Sequence, residues 1–249
     1  MNKIKAILFD LDGTLLDNHM GDFLPHYLTS LAARFSHMMD AKTFIARLLA
    51  ATEVMQANDG RMTNEAAFAG AFFPLAGHSR SKVESIINDF YLTDFPRLQQ
   101  YTRLRPEARL VVQLAFALGY QVAIATNPLF PRIAVMQRLA WAGVDDFPYQ
   151  LITSYENSRA CKPNLRYFAD IARALRLDPT ECLVVGDEDM DMVAARIGCT
   201  TYLVPGPATA LRATTPEPLY SGSLADLAQI LESSVGSRDG FSDDGATPS

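Results

Sequence analysis

Two carboxylates flank a single leucine in Asp10-Leu11-Asp12-Gly13-Thr14, which follows the apolar run Ile4 to Phe9 without a spacer. Paired acids at such a point can hold a hard cation or carry a proton to and from a substrate. Two further clusters repeat the arrangement: Thr126-Asn127 ends the apolar run Gln121 to Ala125, and Asp187 and Asp191 follow Cys182 to Gly186. Taken one at a time, such residues are turn formers or helix caps. Helix capping, however, has no use for two carboxylates around one leucine. Lys162, directly before Pro163, reads in isolation as a solvated lysine, and Asn127-Pro128 as a turn start.

These side chains converge only if the runs before them are neighbouring parallel strands, because open α/β sheets bind ligands beyond the carboxyl ends of their strands. The sequence supports such a sheet. From Arg105 onward, short apolar runs (121–125, 150–153, 182–185, 200–204) alternate with helical segments (106–118, 131–142, 165–175, a helix to 197, and 224–231). Alternation of this kind predicts a parallel sheet with helices on both faces. Residues 17 to 104 differ: helix-length stretches rich in Ala, Leu, Phe and Met follow one another, near 23–36, 41–57, 63–73 and 81–94. Ser81 and Glu84 have capping-box spacing for the last of these. The expected fold is therefore α/β: a Rossmann-like core formed by 1–16 and 105–232, with an all-helical cap, 17–104, inserted after the first strand. The Ser-, Gly- and Asp-rich stretch 233–249 reads as a disordered tail.

Composition narrows the functional class. The 249-residue chain carries a net charge of −6 and is 49% hydrophobic, which argues for a globular protein and against nucleic-acid binding. Its longest apolar stretch, Leu110 to Ala125, is broken by Gln113, Gly119 and Gln121, so no membrane span is expected, and a cytoplasmic location is the default. Three cysteines without regular spacing, Cys161, Cys182 and Cys199, suggest reduced thiols; Lys162 beside Cys161 raises the question of an activated one. No His/Cys cluster suits zinc, and no GxxxxGK or GxGxxG fingerprint points to a nucleotide. Nothing in the sequence sets the oligomeric state.

Together the ordered motifs resemble those of the haloacid dehalogenase-like hydrolases: Asp10 to Thr14 the first, Thr126 after Val122-Ala123-Ile124-Ala125 the second, Lys162-Pro163 the third, and Gly186-Asp187 with Asp191 the fourth. The helical insert after the first motif is similar to the cap of the phosphoglycolate phosphatase-like branch. The resemblance implies a Mg²⁺-dependent phosphatase acting on a small phosphorylated metabolite through an aspartyl-phosphate. Asp10 would be the nucleophile and Asp12 the acid–base. Thr126, Asn127 and Lys162 would hold the phosphoryl group, and Asp10, the Asp12 backbone carbonyl, Asp187 and Asp191 would serve the metal. The loop Asn58-Asp59-Gly60-Arg61 is the expected specificity loop, with Arg61 either an anion ligand or a surface arginine, and His19 a further residue near the cleft.

Other chemistries remain open on the same motifs. A phosphotransferase or sugar-phosphate mutase would keep every residue named. A non-catalytic regulatory module is disfavoured by the intact acids. Carbon–halogen cleavage would not need the second acid, Asp12. Phosphonate cleavage would need a cap lysine, and Lys42 and Lys82 do not follow the first motif closely.

Overall fold

The continuous apolar run before Asp10 is what a strand buried on both faces requires. It forms β1 (Ala6–Phe9) at the centre of a six-stranded parallel sheet. The computed structural model describes residues 3–73, 78–207 and 209–236. Strand order is β5-β4-β1-β6-β7-β8, with β4 (Gln121–Ile124), β5 (Leu151–Ile152), β6 (Cys182–Gly186), β7 (Thr200–Leu203) and β8 (Tyr220–Ser221). Strand periodicity divides β1 between two cores. Ile7 and Phe9 face one cluster with Val122, Ile124, Leu183 and Val185, while Ala6 and Leu8 face the other with Ala123, Cys182 and Val184. Helices α5 (Pro106–Ala117) and α9 (Leu224–Gly236) pack together on the first face. The amphipathic α7 (Leu165–Ala174) covers the second.

From β1 the chain builds outward to β4 and β5, then returns to place β6 against the other edge of β1. The order of strand addition therefore reverses between β1 and β6, and ligand crevices form at such reversals. In register, Phe9 lies opposite Val185 and Ile124. Asp10, Gly186-Asp187 and Thr126 consequently leave the sheet side by side.

Residues between Asp17 and Arg103 form the helical insert: α1 (Met20–Arg34), α2 (Ala41–Gln56), α3 (Asn64–Phe72) and α4 (Arg80–Thr93), then a 3₁₀ segment, Phe95–Tyr101. Asp40 and Thr63 cap α2 and α3 by accepting from Thr43 N and Ala66 N. The capping box expected at Ser81 and Glu84 does not form. Helix α4 starts earlier, with Ser79 at the N-cap, and Glu84 pairs with Arg80 one turn back. A two-stranded antiparallel ladder, β2 (Leu16–Asp17) with β3 (Arg103–Leu104), joins the two ends of the insert. Phe95 stacks on Trp141, which belongs to α6 (Arg132–Trp141) of the core, at 5.3 Å.

Other differences from expectation lie at short elements. The segment after Asp187 divides into α8 (Asp189–Met192) and a 3₁₀ stretch, Val193–Ile197. Helix α9 continues through 233–236, the first residues of the expected disordered tail, with Ser233 Oγ donating to Ile230 O at 3.0 Å. The rest of that tail, 237–249, lies outside the described residues. Among the described residues no helix is long and apolar enough to cross a membrane.

Candidate active site

Asp10 extends β1 by one residue, its N–H donating to Val185 O at 2.8 Å. Beyond it the chain turns, and Gly13 sits at φ +82°. Here glycine is required twice over: the left-handed backbone disfavours any side chain, and a Cβ would overlap the Asp187 carboxylate. Gly186 is constrained by space alone, since a Cβ there would overlap Asp191. The two glycines let three acids approach one point. One carboxylate oxygen each from Asp10, Asp187 and Asp191 lies within 4.8 Å of the others, and all three residues are buried. Thr14 Oγ1 donates to Asp187 Oδ1 at 3.0 Å and fixes one face of that carboxylate.

Lys162 reaches into this cluster from the loop before α7. Its Nζ donates to Asp10 Oδ1 at 2.7 Å and to Asp191 Oδ1 at 2.5 Å. Burial lowers its proton affinity, but the Asp10 and Asp191 carboxylates outweigh burial, and the net shift is well upward. Lys162 is thus a fixed ammonium and not the solvated lysine its sequence context suggests. Asn127 Oδ1 accepts from the Lys162 backbone N–H at 3.2 Å, so this residue positions the lysine's loop. Thr126 is buried, and its carbonyl accepts from Thr153 Oγ1 and Tyr167 OH, each at 2.8 Å.

Three acids cannot share this space with one ammonium and all stay ionised at little cost. Asp187 is pushed up to about 8, by burial first and then by Asp10 and Asp191. Asp191 moves up through burial, with Lys162 opposing and Asp10 adding. Hard oxygen donors at this spacing, carrying excess negative charge, suit a divalent cation. The buried acids fit the metal that the motifs imply.

Asp12 stands apart. Its carboxylate is not in the acidic trio; it pairs with Arg138 and accepts from Asn18 Nδ2 at 2.7 Å. Any part Asp12 takes in metal binding is left to its backbone carbonyl. Burial raises its proton affinity, Arg138 lowers it, Asp10 raises it, and the net direction is upward. Asp10 and Asp12 therefore serve different neighbourhoods: residues two apart would share a face in an extended chain, and the turn beyond Asp10, with Gly13 at positive φ, separates them.

Arg138 is the residue that motif reading missed. It is 1% exposed, lies on α6, and its guanidinium carbon sits 4.6 Å from the Phe130 ring centroid. A signal was present: Ala134, Val135 and Ala142 are buried on the same helical stripe, so the i+3 and i+4 periodicity places Arg138 inward. Asn64 was missed as well. It is fully buried, and its Nδ2 donates to the Ala160 carbonyl and Cys161 Sγ, both at 3.3 Å, next to Lys162.

The remaining expectations divide. Burial pushes the Cys161 thiol up to about 12, so its neighbouring lysine does not activate it. In the loop 58–61, Asp59 and Gly60 carbonyls accept from Arg166, while Arg61 pairs with Asp59 on the surface, its side chain 86% exposed. Glu188 caps α8, and Asp189 pairs with Arg212, so both acids have structural tasks. His19 stands at the N-cap of α1 without a capping hydrogen bond.

Fold and site together define a Rossmann-like α/β protein with a buried acidic cluster at the carboxyl end of its central strand. The family model for haloacid dehalogenase-like hydrolases matches residues 4–197, and the chain belongs to that family. It is 26% identical over 206 residues to a phosphoglycolate phosphatase from Vibrio vulnificus, covering 80% of this chain and 83% of the relative. Among solved structures, an HAD phosphatase from Thermococcus onnurineus aligns with a TM-score of 0.60 at 18% identity, covering 92% of this chain and 98% of its own. L-2-haloacid dehalogenase from Xanthobacter autotrophicus, with chloropropionic acid covalently bound, aligns with a TM-score of 0.55 at 16% identity, with coverage of 92% and 98%. At these identities the structural likeness is one of fold.

Proposed function

We propose that the protein is a Mg²⁺-dependent phosphatase of small phosphate monoesters that works through an aspartyl-phosphate on Asp10. The observation that carries this reading is the meeting of a buried carboxylate, a buried ammonium and two further acids at one point: Asp10, Lys162, Asp187 and Asp191. In the first step a free oxygen of Asp10 attacks phosphorus and the bond to the leaving oxygen breaks, with Asp12 giving that oxygen its proton. In the second, water attacks the phosphorus of the acyl phosphate, Asp12 takes the water's proton, and inorganic phosphate leaves Asp10. Splitting one displacement into two is the gain from covalent catalysis. Lys162 stabilises charge on Asp10 and the transferring group, and Thr126 and Asn127 border the phosphoryl site. Asp10, Asp187 and Asp191 would hold Mg²⁺, which supplies charge neutralisation between carboxylates and phosphate. The helical insert serves as a cap that limits water access. A dehalogenase reading leaves the Asp12–Arg138 pair and the acidic cluster without a task.

The test is release of inorganic phosphate from a panel of phosphorylated metabolites and an aryl phosphate, with Mg²⁺ and with chelator. Release that persists unchanged in chelator would sink the metal-dependent reading. Transfer of the phosphoryl group to a sugar hydroxyl, with no phosphate released, would favour the mutase.

A second expectation concerns pH. Asp187, raised from 3.8 to about 8, contributes stability that is full below its ordinary value and lost as pH climbs through the raised one. The metal-free protein should therefore melt at lower temperature near pH 8 than near pH 5. Added Mg²⁺ should raise the melting temperature more at the higher pH, because cation and proton compete for the same oxygens. Equal stabilisation at both pH values would place the ion elsewhere.

A further inference from the structure

A cavity of about 520 Å³ lies between helices α1 to α4 and the core segment Leu129-Phe130-Pro131. That segment begins two residues after Asn127. Two chain paths connect the cavity to Asp12. Phe130, in the cavity wall, carries the Arg138 guanidinium at 4.6 Å from its ring centroid, and Arg138 pairs with Asp12. Met20, also in the wall, follows closely on Asn18, which donates to Asp12. Neither Asp10 nor Asp12 is in its wall, and the cavity meets the acid that would serve the leaving oxygen through these two neighbours.

Its chemistry is one-sided. Leu24, Leu28, Phe68 and Ile87 line it and are only partly buried, and Leu49 at its edge is 39% exposed. The charged residues among the described lining are Glu53, Glu65, Glu84 and Arg80. Arg80 donates to Glu84 at 2.8 Å and lies over Phe73 at 4.8 Å. No unpaired cation among them would meet an anionic leaving group, and the excess of carboxylates repels one. The volume falls in the range of small-molecule sites and exceeds what a two-carbon leaving group fills.

We infer that this cavity receives the leaving group of the substrate, and that this group is a neutral hydrocarbon or aromatic moiety, larger and less polar than a hydroxy acid. The inference rests on the phosphatase reading above and adds the substrate class to it.

The experiment is kcat/KM with Mg²⁺ across 2-phosphoglycolate, the linear alkyl phosphates from ethyl to octyl, and 2-naphthyl phosphate. Values should rise about fourfold per added methylene until the cavity is filled, with 2-phosphoglycolate lowest. Leu49→Asp, at an exposed position of the cavity wall, should flatten the series. Ala69→Phe, which narrows the same cavity, should move the optimum to a shorter chain. A flat or falling series in the unmodified protein, with ethyl phosphate hydrolysed, overturns this inference and leaves the phosphatase reading standing. A rising series that neither variant changes shows that the chain binds elsewhere and also overturns it. No phosphate from any compound overturns both readings.

Discussion

Asp10→Asn is expected to fold, to hold a divalent cation weakly, and to release phosphate about 10⁴-fold or more slowly than the unmodified protein. The loss is this large because the amide cannot form an acyl phosphate, and the other site residues act only in concert with one. Stability should move the other way. Asp10 is one cause of the upward shifts at Asp187 and Asp191, so removing its charge relieves crowding in the metal-free protein. Lys162 keeps its second partner, Asp191, at 2.5 Å. Melting in chelator should thus occur at or above the unmodified temperature, which separates lost chemistry from lost structure. Hydroxylamine trapping during turnover should label Asp10 in the unmodified protein, and labelling of any other residue would reassign the nucleophile.

Arg138→Ala is expected to cost about 3–5 kcal/mol of stability, the range for breaking a buried pair by removing one partner. It should also lower kcat by about 10²-fold, the lower end of what a positioned acid–base contributes. KM should change little, because Arg138 touches Asp12 and Phe130 and not the acidic cluster. Chemical denaturation reads the first effect and steady-state kinetics the second. The decisive comparison uses Asp12→Asn: in that background Arg138→Ala should leave kcat nearly unchanged, since both residues act through one proton. If the two losses in kcat instead multiply, Arg138 supports the site by some path other than Asp12.

The history of Arg138 also shows what a sequence can convey. Acids at the ends of β1 and β6 were legible because each interrupts an apolar run at the point where a buried strand must stop. Lys162 became legible only through its place in the ordered motif set, for nothing in Cys161-Lys162-Pro163 says that the ammonium points inward. Arg138 belongs to no motif, and an arginine within Arg132–Trp141 looks like the solvated face of an amphipathic helix. Only the burial of its neighbours one turn away reveals otherwise. Short elements escaped for a different reason. A two-residue strand such as β8 and the 3₁₀ stretch Val193–Ile197 carry too few residues for a period to register. Ser79 and Ser81 offer competing starts to α4, and the helix takes the earlier one, where Glu84 pairs with Arg80.

The pairing of Leu16 with Leu104 and of Asp17 with Arg103 has a consequence for how such a protein diversifies. Departure and return happen on adjacent backbone, so the chain enters and leaves the whole intervening segment through one narrow stem, and side chains such as Phe95 and Asn64 hold that segment to the core above it. Closing a loop on such a stem costs only about 0.6 kcal/mol more for each doubling of its length. Lengthening or shortening a loop above the stem is therefore cheap wherever that loop does not touch the core. What resists a change of length is thus not chain closure but the side-chain contacts that the insert makes with the core.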